Sequence, residues 1–133
     1  MTKLKSRQNT KTKKAQGGPP YSACVRVGGF VFVSGQASVD SKGRIVHGTF
    51  EAEMRRSLKN VRSILATAGL SLRDVVQVRS YLGRQQDLAA YNRIYREYFT
   101  APLPARTTLI GVLGDLLKFE IDVTAYPGGP RPA

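Results

Sequence analysis

The chain has 133 residues, a length that suits one domain built around a single core. Hydrophobic residues make up 41% and charged residues 23%, as in ordinary globular proteins, and no apolar stretch approaches the roughly 18 residues needed to span a bilayer. The formal charge of +12 is uneven: residues 1–14 hold Lys3, Lys5, Arg7, Lys11, Lys13 and Lys14 with no acid, which is half of the excess.

Cys24 is the only cysteine and His47 the only histidine. An intrachain disulfide is therefore impossible, and a zinc site or a Cys-His or Ser-His nucleophile is a poor fit. The N-terminus is basic but has no apolar core of a secretory signal, so a cytoplasmic location is expected. Residues 1–18 read as a solvated basic tail, since they contain little to bury. A weak contact with nucleic acid or another polyanion is the alternative reading. The tail ends at Gly17-Gly18-Pro19-Pro20, where two prolines stop any regular element.

Residues 22–27 form a short strand pattern, and Gly28-Gly29 is a tight hairpin signal before residues 30–36. That second run is aromatic and β-branched, as in an interior strand. Gly35 interrupts it, marking a bulge, a bend, or a close approach of ligand to backbone. Asp40-Ser41-Lys42-Gly43 is a turn. Thr49 then precedes a long amphipathic helix whose stripe is Phe50, Met54, Leu58, Val61, Leu65 and Ala68. Glu51 and Glu53 suit its first turn, and Gly69 its C-terminal stop. Arg55, Arg56, Lys59 and Arg62 fall mostly off the stripe and read as a solvated face, with nucleic-acid contact as the alternative.

Residues 74–82 read as a strand with Val76, Val78, Ser80 and Leu82 on one side. Asp87 is an N-cap candidate for a second helix over residues 88–99, with Leu88, Tyr91, Ile94, Tyr95 and Tyr98 as its core side. Asn92, set among these aromatics, needs a partner if buried. Strands follow at 107–112 and 117–125, the latter alternating Phe119, Ile121, Val123 and Ala125 inward. Residues 127–133 read as coil. The order β-β-α-β-α-β-β predicts a two-layer α+β domain with helices on one sheet face. The other face needs a partner or stays polar, which favours a cyclic homo-oligomer.

Pro104 and Ala105 lead into Arg106 at the mouth of a strand whose apolar run reads as buried, and Glu120 lies on the next strand. The plain reading is an ion pair tying adjacent strands. The functional reading is a guanidinium kept for a carboxylate ligand, which its planar fork fits with two parallel hydrogen bonds. In that case the two side chains should face a common cleft.

Pro20-Tyr21-Ser22, Val33-Ser34-Gly35-Gln36, Asn60-Val61, Ala68-Gly69-Leu70, Asn92, Pro104-Ala105-Arg106 and Phe119-Glu120-Ile121 occur in that order between Pro20 and Ala125. This ordered set resembles the RidA/YjgF (endoribonuclease L-PSP-like) family of enamine/imine deaminases. The resemblance implies a chorismate-mutase-like fold over residues 19–126. It also implies a homotrimer with sites between subunits, and hydrolysis of 2-imino or enamino acids to 2-oxo acids and ammonia. No cofactor or metal is implied. By the same resemblance Arg106 would hold the substrate carboxylate and Glu120 would orient or activate water. Tyr21 would line the pocket, Gly35 would offer backbone contact, and Asn92 would support the site. Thr108 falls where relatives carry Cys or Thr, so a thiol is not essential. Pro19, Ala23-Cys24 and the loop at 113–116 depart from the family pattern, as does the lysine-rich extension. Some relatives are RNA-acting translation inhibitors and others non-enzymatic, chaperone-like trimers. Both are alternatives here.

Overall fold

The computed structural model describes residues 17–133; most of the proposed basic tail lies outside the described residues. Five strands and two helices appear in the expected order: β1 (Cys24–Val27), β2 (Phe30–Ala37), α1 (Phe50–Thr67), β3 (Val75–Leu82), α2 (Leu88–Tyr98), β4 (Ala105–Ile110) and β5 (Phe119–Ala125). The strands form one sheet in the order β1-β2-β5-β3-β4. The β3-β4 pair, joined through α2, is parallel, and the other pairs are antiparallel. This is the two-layer, chorismate-mutase-like α+β architecture.

Each element has a local cause. Gly28 takes φ +58° in the turn that pairs Val27 with Phe30. Helix α1 starts where Thr49 Oγ1 accepts from the Ala52 N–H at 3.1 Å. It stops at Gly69, φ +78°, where the Leu70 N–H reaches the Leu65 carbonyl and the Gly69 N–H reaches that of Ala66. Its stripe residues Met54, Leu58, Val61 and Leu65 are fully buried against the sheet. Each stabilises the fold by roughly 1.5–3 kcal/mol relative to exposure. Opposite them sit Val31 and Val33 of β2, Val78 and Leu82 of β3, and Phe119, Ile121, Val123 and Ala125 of β5.

Four details differ from the sequence reading. A bulge between Val75 and Gln77 slips the start of β3, so Val75 is buried in the core and Val76 is not. Asp87 makes no capping bond to α2. Its carboxylate is held by Arg84 at 3.3 Å, and a short 3-10 turn (Gln85–Asp87) leads directly into the helix. Strand β4 begins two residues before the expected position and is an exposed edge strand, not a buried one. Its main chain pairs with β3, and no strand of the described chain pairs with its outer edge. Finally, the coil after β5 is held in place at its start: the Gly128 N–H donates to Asp74 Oδ1 at 3.0 Å.

All of the sheet's buried residues face the helices. The other face carries Phe30, Phe32, Val25, Val27 and Leu109, each at least two-fifths exposed. Among the described residues no helix or strand covers this face, although Tyr126 packs on Phe30 at 4.8 Å between ring centres, and no helix is long and apolar enough to cross a membrane.

Candidate active site

Register fixes where the candidate residues point. Arg106 pairs with Val78, and Val78 pairs with Val123; both valines belong to the core. Arg106 therefore lies on the helix face. Its guanidinium sits 4.8 Å from the ring centres of both Tyr91 and Tyr95 of α2. Its Nη1 donates to Asn92 Oδ1 at 3.0 Å. Asn92 thus finds the partner its position required. Two aromatic faces attract and orient the cation while leaving most of its N–H donors unspent.

The rest of this cluster is polar and under-satisfied. Thr108 pairs in register with Ser80, whose hydroxyl accepts from Tyr91 at 2.7 Å. The Thr108 Oγ1 and the Tyr95 hydroxyl are both buried and lack hydrogen-bond partners. Burial pushes the Tyr95 phenol well above its ordinary value. An unpaired buried hydroxyl costs stability, and these two lie on α2 and β4, the elements that hold Arg106.

Glu120 lies between buried Phe119 and Ile121 and so projects from the opposite, open face. The sheet carries a bulge between Val33 and Gln36, and there Gly35 faces the Glu120 carboxylate so closely that a Cβ would collide with it. Asn60 fixes this end of β2 by donating to the Ala37 and Val39 carbonyls, both at 3.1 Å. Tyr21 is 65% exposed, one residue before Ser22, whose carbonyl accepts from Ser34 Oγ. Tyr21 therefore belongs near Gly35 in the chain's layout, well away from β4.

Beside Glu120 is a second, ordered acid. Asp122 accepts from Arg79 Nε at 2.9 Å and from the Tyr81 hydroxyl at 2.6 Å. Tyr81 is the register partner of Glu120. Burial first, and then the Asp122 charge, raise the Glu120 carboxyl above its ordinary 4.5. Burial and the bond to Asp122 push the Tyr81 phenol up to about 12. A carboxylate so tuned is suited to taking and returning protons.

The two anticipated principal residues thus make no ion pair. Strand β3 separates β4 from β5, and among the described residues Arg106 has no salt bridge. They do not face a common cleft of one protomer either, because an even or odd position on the pleat decides the face. The expected site residues therefore fall into two groups: Arg106, Asn92 and Thr108 on one side, and Glu120, Gly35 and Tyr21 on the other. Sequence reasoning missed the Tyr91 and Tyr95 bracket around Arg106, because a helical aromatic stripe reads first as core. It also missed the Arg79-Asp122-Tyr81 cluster, whose only sequence signal is polar alternation on two strands. Among the described residues no three His, Cys, Asp or Glu side chains gather as a metal would need.

Fold and local geometry together describe a chorismate-mutase-like protein with an arginine held between two tyrosine rings and free of ion pairs among the described residues, and a separate half-buried carboxylate at Glu120. Residues 12–127 match the family model described as endoribonuclease L-PSP, and the chain belongs to this family, the RidA/YjgF proteins. It is 39% identical over 109 residues to a RutC family protein of Pyrococcus horikoshii, covering 80% of this chain and 86% of the relative. It is 35% identical over 120 residues to the human 2-iminobutanoate/2-iminopropanoate deaminase, covering 88% of each. The crystal structure of RidA from an Antarctic Psychrobacter superposes with a TM-score of 0.74 at 30% identity, over 81% of this chain and 89% of that one.

Proposed function

We propose that the protein hydrolyses 2-imino and enamino acids to 2-oxo acids and ammonia, in a homotrimer whose sites lie between subunits. The observation that carries this reading is the division of the family's residues into half-sites on opposite sheet faces. One chain cannot bring them together, whereas cyclic packing of open sheet faces around an axis sets one copy's Glu120 half against its neighbour's Arg106 half. The exposed apolar residues of the open face supply a reason to associate.

In such a cleft Arg106 holds the substrate carboxylate by a bidentate pair, with Tyr91, Tyr95 and Asn92 fixing the guanidinium. Thr108 Oγ1 offers a further hydrogen bond to the same carboxylate. The protonated imine is already electrophilic, so positioning it against a water is most of the task. Glu120 takes a proton from the attacking water as the C–O bond forms. The proton then passes to nitrogen; the carbinol oxygen forms C=O as its remaining proton returns to Glu120, the C–N bond breaks, and ammonia leaves. Gly35 leaves room for substrate against its backbone.

The test is ammonia and 2-oxo acid release from imino acids generated in situ by an amino-acid oxidase. Arg106→Ala is expected to lower kcat/KM by at least about 100-fold, the scale of lost orientation. Unchanged release by this variant, with its assembly intact, removes Arg106 from the role.

One observation favours a second reading, RNA binding: the six basic residues of positions 1–14 with no acid among them. Deleting these residues or raising salt abolishes RNA binding on this reading. Imine hydrolysis survives both treatments.

A further inference from the structure

Arg106 shares its concavity with a second guanidinium. Arg96, in the last turn of α2, lines the same cavity of about 330 Å³ together with Asn92, Tyr95, Leu103, Pro104 and Arg106. Both arginines are tied to one residue. Arg96 Nη1 donates to the Asn92 main-chain carbonyl at 3.3 Å, and Arg106 Nη1 donates to Asn92 Oδ1 at 3.0 Å. Arg96 is a surface residue, yet among the described residues neither it nor Arg106 has a carboxylate partner. No acid lines the cavity.

Arg44, Arg55, Arg79, Arg84 and Arg93 each meet an aspartate or glutamate, whereas Arg96 and Arg106 meet Asn92 and, for Arg106, the rings of Tyr91 and Tyr95. Two cations left together without a counter-charge repel each other and raise the local positive potential. The ligand that relieves this best carries two negative charges at short separation. Each guanidinium spends one donor on Asn92, so each keeps a fork for a carboxylate.

We infer that Arg96 and Arg106 form a dianion site, and that the substrates it selects are 2-imino dicarboxylic acids, the imines of aspartate and glutamate. The inference rests on the deaminase reading of Arg106. Arg106 holds the α-carboxylate next to the reacting carbon, and Arg96 holds the side-chain carboxylate. Water adds to the C=N carbon, the C–N bond breaks, and the products are ammonia and a 2-oxo dicarboxylate, with no change of oxidation state. Leu103 and Pro104 supply apolar lining beside the two anchors.

The experiment compares imines made in situ from aspartate and glutamate with those from alanine and leucine, at low salt. The wild-type protein is expected to favour the dicarboxylic class by about tenfold or more in kcat/KM, the scale of one added charge-assisted bond. Arg96→Gln should erase that preference through KM, and Arg96→Glu should invert it. Titration with 2-oxoglutarate and 2-oxobutanoate gives an independent readout: the diacid binds the wild-type protein more tightly, and the difference disappears in Arg96→Gln. Equal handling of both classes by the wild-type protein, or a preference unchanged in Arg96→Gln, overturns the dianion site and leaves the deaminase reading standing. Retained hydrolysis of both classes in Arg106→Ala removes Arg106 from the site, and the dianion site with it, whereas no hydrolysis of either class by the wild-type protein overturns the deaminase reading itself.

Discussion

Gly35 and Glu120 show how little side-chain information a site needs when the backbone is placed well. A Cβ at Gly35 would run into the Glu120 carboxylate, so Gly35→Ala is expected to displace that group and depress kcat without unfolding the chain. Glu120→Gln is expected to cost roughly 10²–10⁴-fold in rate as general base catalysis is lost. The pH profile carries the sharper test. Burial and then Asp122 hold the Glu120 carboxyl above 4.5, so the acid limb of kcat/KM should lie above the ordinary glutamate range. Asp122→Asn removes a neighbouring negative charge that favours the protonated form, and the limb should move to lower pH. Stability follows the same proton. The folded state binds it more tightly than the unfolded chain, so that contribution is present at acid pH and lost as pH rises through the folded value. Glu120→Gln should therefore raise the melting temperature at neutral pH and do so less in acid. At this scale the sequence singled out Arg106, Glu120 and Gly35 and, through the alternation of β5, the face of Glu120, but not that of Arg106: Arg106 follows a proline-rich turn whose end sets the strand's phase, and no sequence pattern fixes that end.

At the scale of elements, helix α1 and strand β5 were legible because cap, stop and period agree along their whole length. Thr49, the stripe from Phe50 to Leu65, and Gly69 all give one answer. Strand β4 was not, since an edge strand needs no inward alternation and its apolar residues stay partly exposed. Nor was the work of Glu53, which suited a helix first turn on sequence grounds alone. Its carboxylate is 1% exposed and accepts from the Gly48 N–H at 3.1 Å and the Lys118 N–H at 3.0 Å. It thereby ties the start of α1 to the loop entering β5, and so sets where Glu120 begins its strand. Glu53→Ala leaves two main-chain donors without their acceptor and is expected to lower unfolding free energy by about 1–3 kcal/mol. Denaturant titration checks this, and a variant as stable as the parent would show that water replaces the carboxylate. Leu58→Ala, in the fully buried stripe, should cost about 2–5 kcal/mol by cavity formation.

At the scale of the whole molecule the question is which copies meet, and it has an experiment that does not depend on seeing the interface. If each site takes Arg106 from one subunit and Glu120 from the next, Arg106→Ala and Glu120→Gln are defects in different halves. Each variant alone leaves every site broken. Co-expressed in equal amounts, they assemble at random, and a site is whole when a Glu120→Gln subunit supplies its Arg106 to an Arg106→Ala subunit that supplies its Glu120. In a cyclic assembly that ordered pairing occurs at about a quarter of the sites, so about a quarter of wild-type activity should return. A site contained within one chain predicts no recovery at any mixing ratio. Phe32→Lys supplies the complementary measurement. Phe32 is 45% exposed on the open face, so a lysine there leaves the core untouched. Sedimentation should show a smaller species that keeps its helical signal and loses imine hydrolysis. A Phe32→Lys protein that sediments as the parent would move the subunit contact elsewhere on the sheet, while recovery in the mixed variants would still locate the active site between chains.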